Sequence, residues 1–339
     1  MRAPRKRGFM EYLFAPMEGI TFSLYRSLHH QMFPGAAEYY TPFIAPDANG
    51  TFKAKYLRDL TDDHGEGLVV IPQLLANRAE AFNITADKLH ALGFDTVNLN
   101  TGCPSGTVFS KHKGAGMLAD LLSLDAFLDG IFSHAEQQGF RISVKTRMGV
   151  RSTGEFPAIL ELFNRYPVTK LIVHARTREG YYKSTPDLAG YAAAAAQSGA
   201  PVCCNGNLFS MEDFTRLREA SPETKSVMIG RGAVANPALI REMQGGQPLR
   251  REELQEFHDR LLEGWLERGL QPNFTVERMK TLWHYMQACF PDNRKEIKAI
   301  LKARAMSDYR SAVSVLFRTG DFTACLKKGT DALSCQPYI

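Results

Sequence analysis

Between residues 11 and 240 the chain repeats one rhythm: a short apolar, β-branched run, a turn, then a longer stretch with apolar positions at helical spacing. The runs at 12–15, 37–41, 68–72, 96–100, 142–146, 171–174, 202–204 and 227–229 are predicted strands. The stretches near 21–31, 77–91, 123–138, 155–165, 187–198, 210–219 and 236–243 are predicted helices, and 43–60 reads as a loop with at most a short helix. Eight β/α units over about 230 residues fit a closed (β/α)8 barrel, an α/β fold. An open doubly wound sheet is the alternative, but no GxGxxG fingerprint follows the first strand.

The rhythm stops after Gly245, Gly246 and Pro248. Beyond 250 only helical periods occur, at 252–266, 276–289, 294–306 and 308–318, which predicts a smaller all-α bundle. The expected organisation is an extension over 1–9, a TIM-barrel domain over 10–244 and a helical domain over 245–339.

Polar residues favour the barrel over the open sheet. A core strand has little reason to end in Lys, His or Asn, yet Met17–Glu18, Gln73, Asn98–Cys103, Lys145–Arg147, His174–Arg176, Asn205–Asn207 and Gly230–Arg231 all fall at the C-terminal ends of predicted strands. In a closed barrel these ends converge on one mouth, where the chemistry of this fold sits.

Composition narrows the class. Of 339 residues 44% are hydrophobic and 23% charged, which excludes a disordered or collagen-like chain. No run approaches the roughly 20 apolar residues of a membrane span. The net charge of +5 is compatible with an anionic partner. Much of it is local: between 278 and 318 nine Lys/Arg face three acids. Six cysteines, at 103, 203, 204, 289, 325 and 335, form no CxxC and no zinc spacing, so no metal is expected. The basic start lacks the apolar segment of a secretory signal, and a cytoplasmic protein with reduced thiols is expected.

Several motifs carry chemistry. In Asn98-Leu-Asn100-Thr-Gly-Cys103-Pro104, the amides can read the edge of a planar heterocycle, Gly102 permits a tight turn, and a thiol can donate a proton as well as attack. Taken alone, Cys103 also fits a structural cysteine in a turn. Gly114-Ala-Gly116 suggests a flexible lid positioning Cys103, with Lys111 and Lys113 toward a phosphate backbone. Lys145 and Arg147, two apart in a strand, share a face, and such a buried pair implies an anionic or electron-rich partner. His174 follows Leu-Ile-Val and precedes Arg176, which favours an inward polar role over a surface one. Asn205-Gly206-Asn207 and Gly230-Arg231-Gly232 end the last two strands, where barrels commonly hold a phosphate. Cys203 and Cys204 read as strand packing. Lys295, Lys298 and Lys302 recur on one helix face as a phosphate-tracking stripe would, though a solvated face looks similar.

Together, APMEG (15–19), NLNTGCP (98–104), KGAGML (113–118), VKTRMG (144–149), VHART (173–177), CNGN (204–207) and MIGRG (228–232) make the chain resemble the tRNA-dihydrouridine synthases. These are FMN-dependent enzymes that reduce the C5–C6 bond of uridine in RNA. The resemblance spans 12–240, and the basic tail is similar to the family's RNA-recruitment domain. It implies that Pro16, Met17 and Glu18 line one side of the flavin and that Gln73 and Lys145 bond its ring. It further implies that His174 contacts flavin or its phosphate, and that Asn205, Gly206, Asn207, Gly230 and Arg231 hold the ribityl phosphate. Asn100, Arg147, Arg176 and Tyr181 would face the uracil, with Lys295, Lys298 and Lys302 on the RNA backbone. Cys103 would protonate C5 after hydride from reduced FMN reaches C6, with NADPH regenerating the flavin. Asn207 departs from the Asp or Glu many members carry.

The expected partner is tRNA, with rRNA left open; no DNA or membrane partner is expected, and the protein is expected to be a monomer. Two rivals share parts of this pattern: a dihydroorotate dehydrogenase-like FMN barrel acting on a free pyrimidine, and a non-catalytic RNA-binding protein on a barrel. The first does not need the basic helical tail; the second does not need Cys103 and Lys145.

Overall fold

The computed structural model of the protein describes residues 10–62 and 65–324. The extension expected over 1–9, together with Cys325 and Cys335, lies outside the described residues. Among the described residues nine strands form one sheet: β1 Glu11–Phe14, β2 Glu38–Tyr40, β3 Val70–Ile71, β4 Gln73–Leu74, β5 Thr96–Thr101, β6 Arg141–Arg147, β7 Leu171–His174, β8 Val202–Asn205 and β9 Ser226–Ile229. All pairs are parallel, in the order β3-β2-β1-β9-β8-β7-β6-β5-β4.

The two ends of that order are consecutive in the chain, separated only by Pro72. Proline has no N–H to give to a ladder, so one barrel strand is divided into β3 and β4. The Pro72 carbonyl still accepts from Asn98 N at 2.8 Å, and Leu74 bridges Ile44 on the other side. The ring is therefore an eight-stranded TIM barrel with one broken stave. The run predicted over 68–72 continues past its proline to Leu74, which carries Gln73 into the wall.

Alternation along the strands makes two apolar layers. Leu13, Ala15, Tyr40, Ile71, Ile172, Cys203 and Met228 form a core inside the barrel. The intervening residues, such as Phe14, Leu99, Val144 and Val173, pack outward against the helices. Below the inner core, Lys170 is held by Glu11 at 3.1 Å and Glu38 at 2.7 Å, with Tyr40 Oη donating to Glu38 at 3.0 Å. This ion cluster fills the N-terminal end.

The barrel helices follow the predicted spacing, for example Ala79–Ala91, Leu121–Gln138 and Phe156–Asn164, and the loop after β2 carries a helix at Ala54–Thr61. Asp120 caps the longest of them by accepting from Leu122 N and Ser123 N, and Gly139 ends it at φ 81°. After residue 250 come Arg251–Glu267, Pro272–Met286, Arg294–Lys302 and Met306–Thr319. Their core is continuous with the outer layer of the barrel. The Phe257 ring packs edge-on to Tyr25 and Phe33 of the first β/α unit, and Gly264 lets the helix approach Leu24 so closely that a Cβ would fall 2.8 Å from it. Among the described residues no helix is long and apolar enough to cross a membrane, and no cluster of His, Cys, Asp and Glu could hold a metal ion.

Candidate active site at the barrel mouth

The C-terminal strand ends enclose a cavity of about 290 Å³. It brings together Pro16, Met17 and Glu18 after β1, Gln73 on β4, Asn100 and Cys103 at the end of β5, Lys145 and Arg147 on β6, His174 on β7 and Tyr181 beyond it. Ten of the residues picked out by sequence thus line one space. Asn205, Gly206, Asn207, Gly230 and Arg231 end β8 and β9 and do not line this cavity; nor does Arg176. They connect to it through Tyr182, whose ring lies 4.5 Å from the Arg231 guanidinium, 5.3 Å from that of Arg147 and 5.9 Å from the His174 ring. Lys295, Lys298 and Lys302 are exposed on the surface of Arg294–Lys302, whose Ile297 and Ile300 face the core.

Cys103 is held by its neighbours. Asn100 Oδ1 accepts from Gly102 N at 3.0 Å and Cys103 N at 2.9 Å, and Cys103 O accepts from Ala115 N at 3.1 Å. Burial pushes the thiol pKa up, against smaller opposing effects of a backbone hydrogen bond at Ser105 and of Arg147 and Lys145. A protonated thiol at neutral pH is the form a proton donor needs. Gly114–Ala119, expected as a flexible lid, is a 3₁₀ helix with a buried glycine-rich start. Gly114 sits at φ 56°, and a Cβ there would fall 2.9 Å from Cys103 Cβ, so the glycine serves close packing against the cysteine.

Arg147 spends its donors on main chain: Nε on Gly102 O at 2.9 Å, and Nη1 on Thr177 O at 2.7 Å and Tyr181 O at 2.8 Å. It ties the cysteine loop to the loop after β7, where Tyr181 occupies φ 44°. Arg176 Nε donates to Ser184 O at 2.6 Å, and its Nη1 lies 3.0 Å from His174 Nε2. A guanidinium can only donate, so His174 Nε2 accepts and its proton resides on Nδ1.

Positive charge dominates the mouth. Among the described residues no carboxylate forms an ion pair with Lys145, Arg147 or Arg176. Burial, then the neighbouring Arg147, lowers Lys145 to about 8. Burial, then Arg231 and Arg147, lowers Arg176 to about 9. The same burial and surrounding cations hold His174 neutral, well below the usual imidazole range. Here the buried atoms Arg176 Nη2 and Glu18 Oε2 have no hydrogen-bond partner among the described residues. Buried cations without counter-charge and an orphaned guanidinium nitrogen are the donor set of a site that takes an anion. Arg231, bonded to Asn207 Oδ1 at 2.8 Å and stacked on Tyr182 and Phe209, extends that set. An aromatic ring system with a phosphate tail fits these groups.

Sequence reasoning overlooked Pro42, Phe43 and Tyr182 in the cavity wall. All lie in loops, where no periodicity marks an inward position. A second cavity, of about 670 Å³, lies on the other side of Gly19, between the barrel and Pro272–Met286. Arg278, His284 and Thr281 line it, together with Phe274, which is 67% exposed.

The family model described as dihydrouridine synthase (Dus) matches residues 13–327. A protein of Aquipseudomonas alcaligenes named tRNA-dihydrouridine(16) synthase is 26% identical over 305 residues, 84% of this chain and 92% of that one. A Shigella flexneri protein of the same name is 28% identical over 258 residues, 70% and 77% of the two chains. Among solved structures, histamine dehydrogenase from Rhizobium sp. 4-9 superposes with a TM-score of 0.55 at 12% identity, over 80% of this chain and 49% of that one, a likeness of fold alone. With the cysteine loop, the cationic mouth and the barrel in place, and a family model matching nearly the whole length, the chain belongs to the dihydrouridine synthase family.

Proposed function

We propose that the protein reduces the C5–C6 double bond of a uridine in tRNA. One observation carries the proposal: a cysteine thiol, a half-buried lysine and two amides share one cavity in a chain of this family. FMN, when bound, supplies the hydride that reaches C6, and NADPH replenishes it. Lys145, still largely charged at neutral pH, stabilises negative charge on an electron-rich ring, and Gln73 bonds that ring's polar edge. Arg176 Nη2 and Arg231 receive the phosphate, assisted by the turns Asn205–Asn207 and Gly230. Asn100 and Tyr181 face the uracil, and Arg147 holds the walls of its pocket. Hydride at C6 leaves negative charge conjugated through C5 to the C4 carbonyl, and Cys103 Sγ delivers the proton to C5. Pro16, Met17 and Glu18 close the opposite wall.

A base stacked in RNA cannot enter a cavity of this size, so the uridine must flip out at a cost of a few kcal/mol. Contacts outside the barrel offset that cost. The helices beyond 250 serve as the RNA-recruitment domain, with Lys295, Lys298 and Lys302 on phosphates and the cavity beside Arg278 on the path to the mouth. The relatives named above specify position 16, and we extend that position to this protein. The test is incubation of the flavin-loaded protein and NADPH with tRNA lacking dihydrouridine, followed by mapping of the product. Dihydrouridine at position 16 is expected; reduction of a free pyrimidine with none in tRNA would replace this reading by that of a small-molecule reductase.

A further inference from the structure

Beneath the cavity a row of side chains crosses three adjacent strands. Gln73 on β4 and Ser143 on β6 are the register partners that flank Asn98 on β5. Gln73 Nε2 donates to Asn98 Oδ1 at 2.7 Å, and Asn98 Nδ2 donates to Ser143 Oγ at 2.9 Å. Toward the cavity, Asn100 Nδ2 donates to Gln73 Oε1 at 2.7 Å, while Asn100 Oδ1 takes the N–H groups of Gly102 and Cys103. At the far end the Ser143 hydroxyl points to the Val97 carbonyl at 3.5 Å. Gln73, Asn98 and Ser143 are at most 1% exposed.

The row has a direction, and the backbone sets it. Main-chain N–H groups only donate, so Asn100 must turn its oxygen toward Gly102 and Cys103. Its nitrogen then faces Gln73, which must answer with its oxygen. The Gln73 nitrogen faces Asn98, whose own nitrogen is left for Ser143. At the other end the Val97 carbonyl only accepts, which orients the serine hydroxyl consistently. Reversing any one amide would set N–H against N–H or oxygen against oxygen away from water, so the four side chains keep or lose their orientation together.

We propose that Asn98 and Ser143 are positioning residues. Neither lines the cavity; through Gln73 and Asn100 they hold the first turn of the Cys103 loop and fix which amide atoms the cavity wall presents. Only the catalytic consequence rests on the function proposed above. The placement of Cys103 can be read without flavin or RNA.

The experiment is peptide-resolved alkylation of the full chain with iodoacetamide under native conditions, scoring Cys103 against buried Cys203 and Cys204. The variants are Asn98→Ala, Ser143→Ala, Asn98→Asp and, as the upper limit, Asn100→Ala. Losing a buried hydrogen-bond partner in a shared network should raise the Cys103 rate about tenfold in Asn98→Ala and about threefold in Ser143→Ala, with Cys203 unchanged. Asn98→Asp should restore the wild-type rate, because burial favours the neutral carboxyl there, whose carbonyl oxygen accepts from Gln73 and whose O–H donates to Ser143 Oγ, and so preserves the direction of the row. In the loaded enzyme Asn98→Ala should lower kcat with little change in KM for tRNA. The proposal is overturned if Asn100→Ala accelerates alkylation and Asn98→Ala does not, if Asp fails where Ala fails, or if Cys203 accelerates in parallel with Cys103. If the alkylation pattern appears but wild type forms no dihydrouridine, the positioning role stands and the assigned reaction falls.

Discussion

Two half-buried lysines of one barrel are treated in opposite ways. Lys170, at the N-terminal end, lies between Glu11 and Glu38, and those carboxylates raise its pKa despite burial. Lys145, at the mouth, has no carboxylate partner among the described residues, and burial together with Arg147 lowers it to about 8. The base of the barrel is electrostatically complete without a ligand. The mouth is not, and the orphaned Arg176 Nη2 repeats the point. A fold that neutralises one end and leaves cations bare at the other has reserved that other end for something anionic.

Substitution should separate the two ends most sharply. Lys170→Met leaves two partly buried carboxylates facing each other, and a loss of about 3 kcal/mol is expected, the low end for breaking a buried pair because the group keeps some solvent contact. Lys145→Met removes a cation that burial disfavours and should stabilise the ligand-free protein by on the order of 1–3 kcal/mol, seen as a higher melting temperature, while abolishing tight flavin binding. Thermal melts with and without FMN check both. If Lys145→Met melts lower than wild type without ligand, the mouth is not the uncompensated site described above.

The pH dependence sharpens the same contrast. Lys145 is lowered on folding, so its contribution to stability is full above the ordinary lysine value, near 10.4, and is lost as pH falls through about 8. Lys170 is raised, so its contribution is full below the ordinary lysine value and is lost as pH rises from there through its higher folded value. Between pH 7 and 10 wild type should therefore gain stability relative to Lys145→Met, and FMN affinity should weaken above pH 8 as Lys145 loses its proton. Parallel melting curves for the two proteins across that range would contradict the assignment.

The smallest effect lies farthest from the mouth. Replacing Lys295, Lys298 and Lys302 by Gln should make the salt dependence of RNA binding shallower by ~0.7–0.9 per lost phosphate contact, leaving flavin reduction by NADPH unchanged. An unchanged slope would mean that RNA is held elsewhere, with the cavity beside Arg278 as the next candidate.

The eight staves of the barrel were legible because buried parallel strands read as short apolar runs, and Glu18, Gln73, Asn100, Cys103, Lys145, Arg147 and His174 were legible because polar side chains at the ends of such runs have no core role, whereas Pro16 and Tyr181 entered only through the family resemblance. Pro72 misled, since a proline reads as the end of a strand and not as a break within one. Arg147 was legible as inward but not in its work: only the folded loops bring Gly102, Thr177 and Tyr181 carbonyls to its guanidinium. The Gln73–Asn98–Ser143 row depends on lateral register, which the shear of the barrel sets and one strand alone does not encode. Tyr182 joins the turns after β8 and β9 to the cavity from a loop whose path no spacing predicts.

The central claim is that Cys103 protonates C5 of a uridine reduced in this mouth. Its most direct test is anaerobic rapid mixing of the FMN-loaded, NADPH-reduced protein with tRNA lacking dihydrouridine, following flavin reoxidation and dihydrouridine together in wild type and Cys103→Ala. Flavin content and reduction by NADPH should be equal in the two, while RNA-dependent reoxidation and product formation fall ~10²–10⁴-fold in the variant, as expected for loss of a positioned acid. Equal rates in the two proteins would contradict the account.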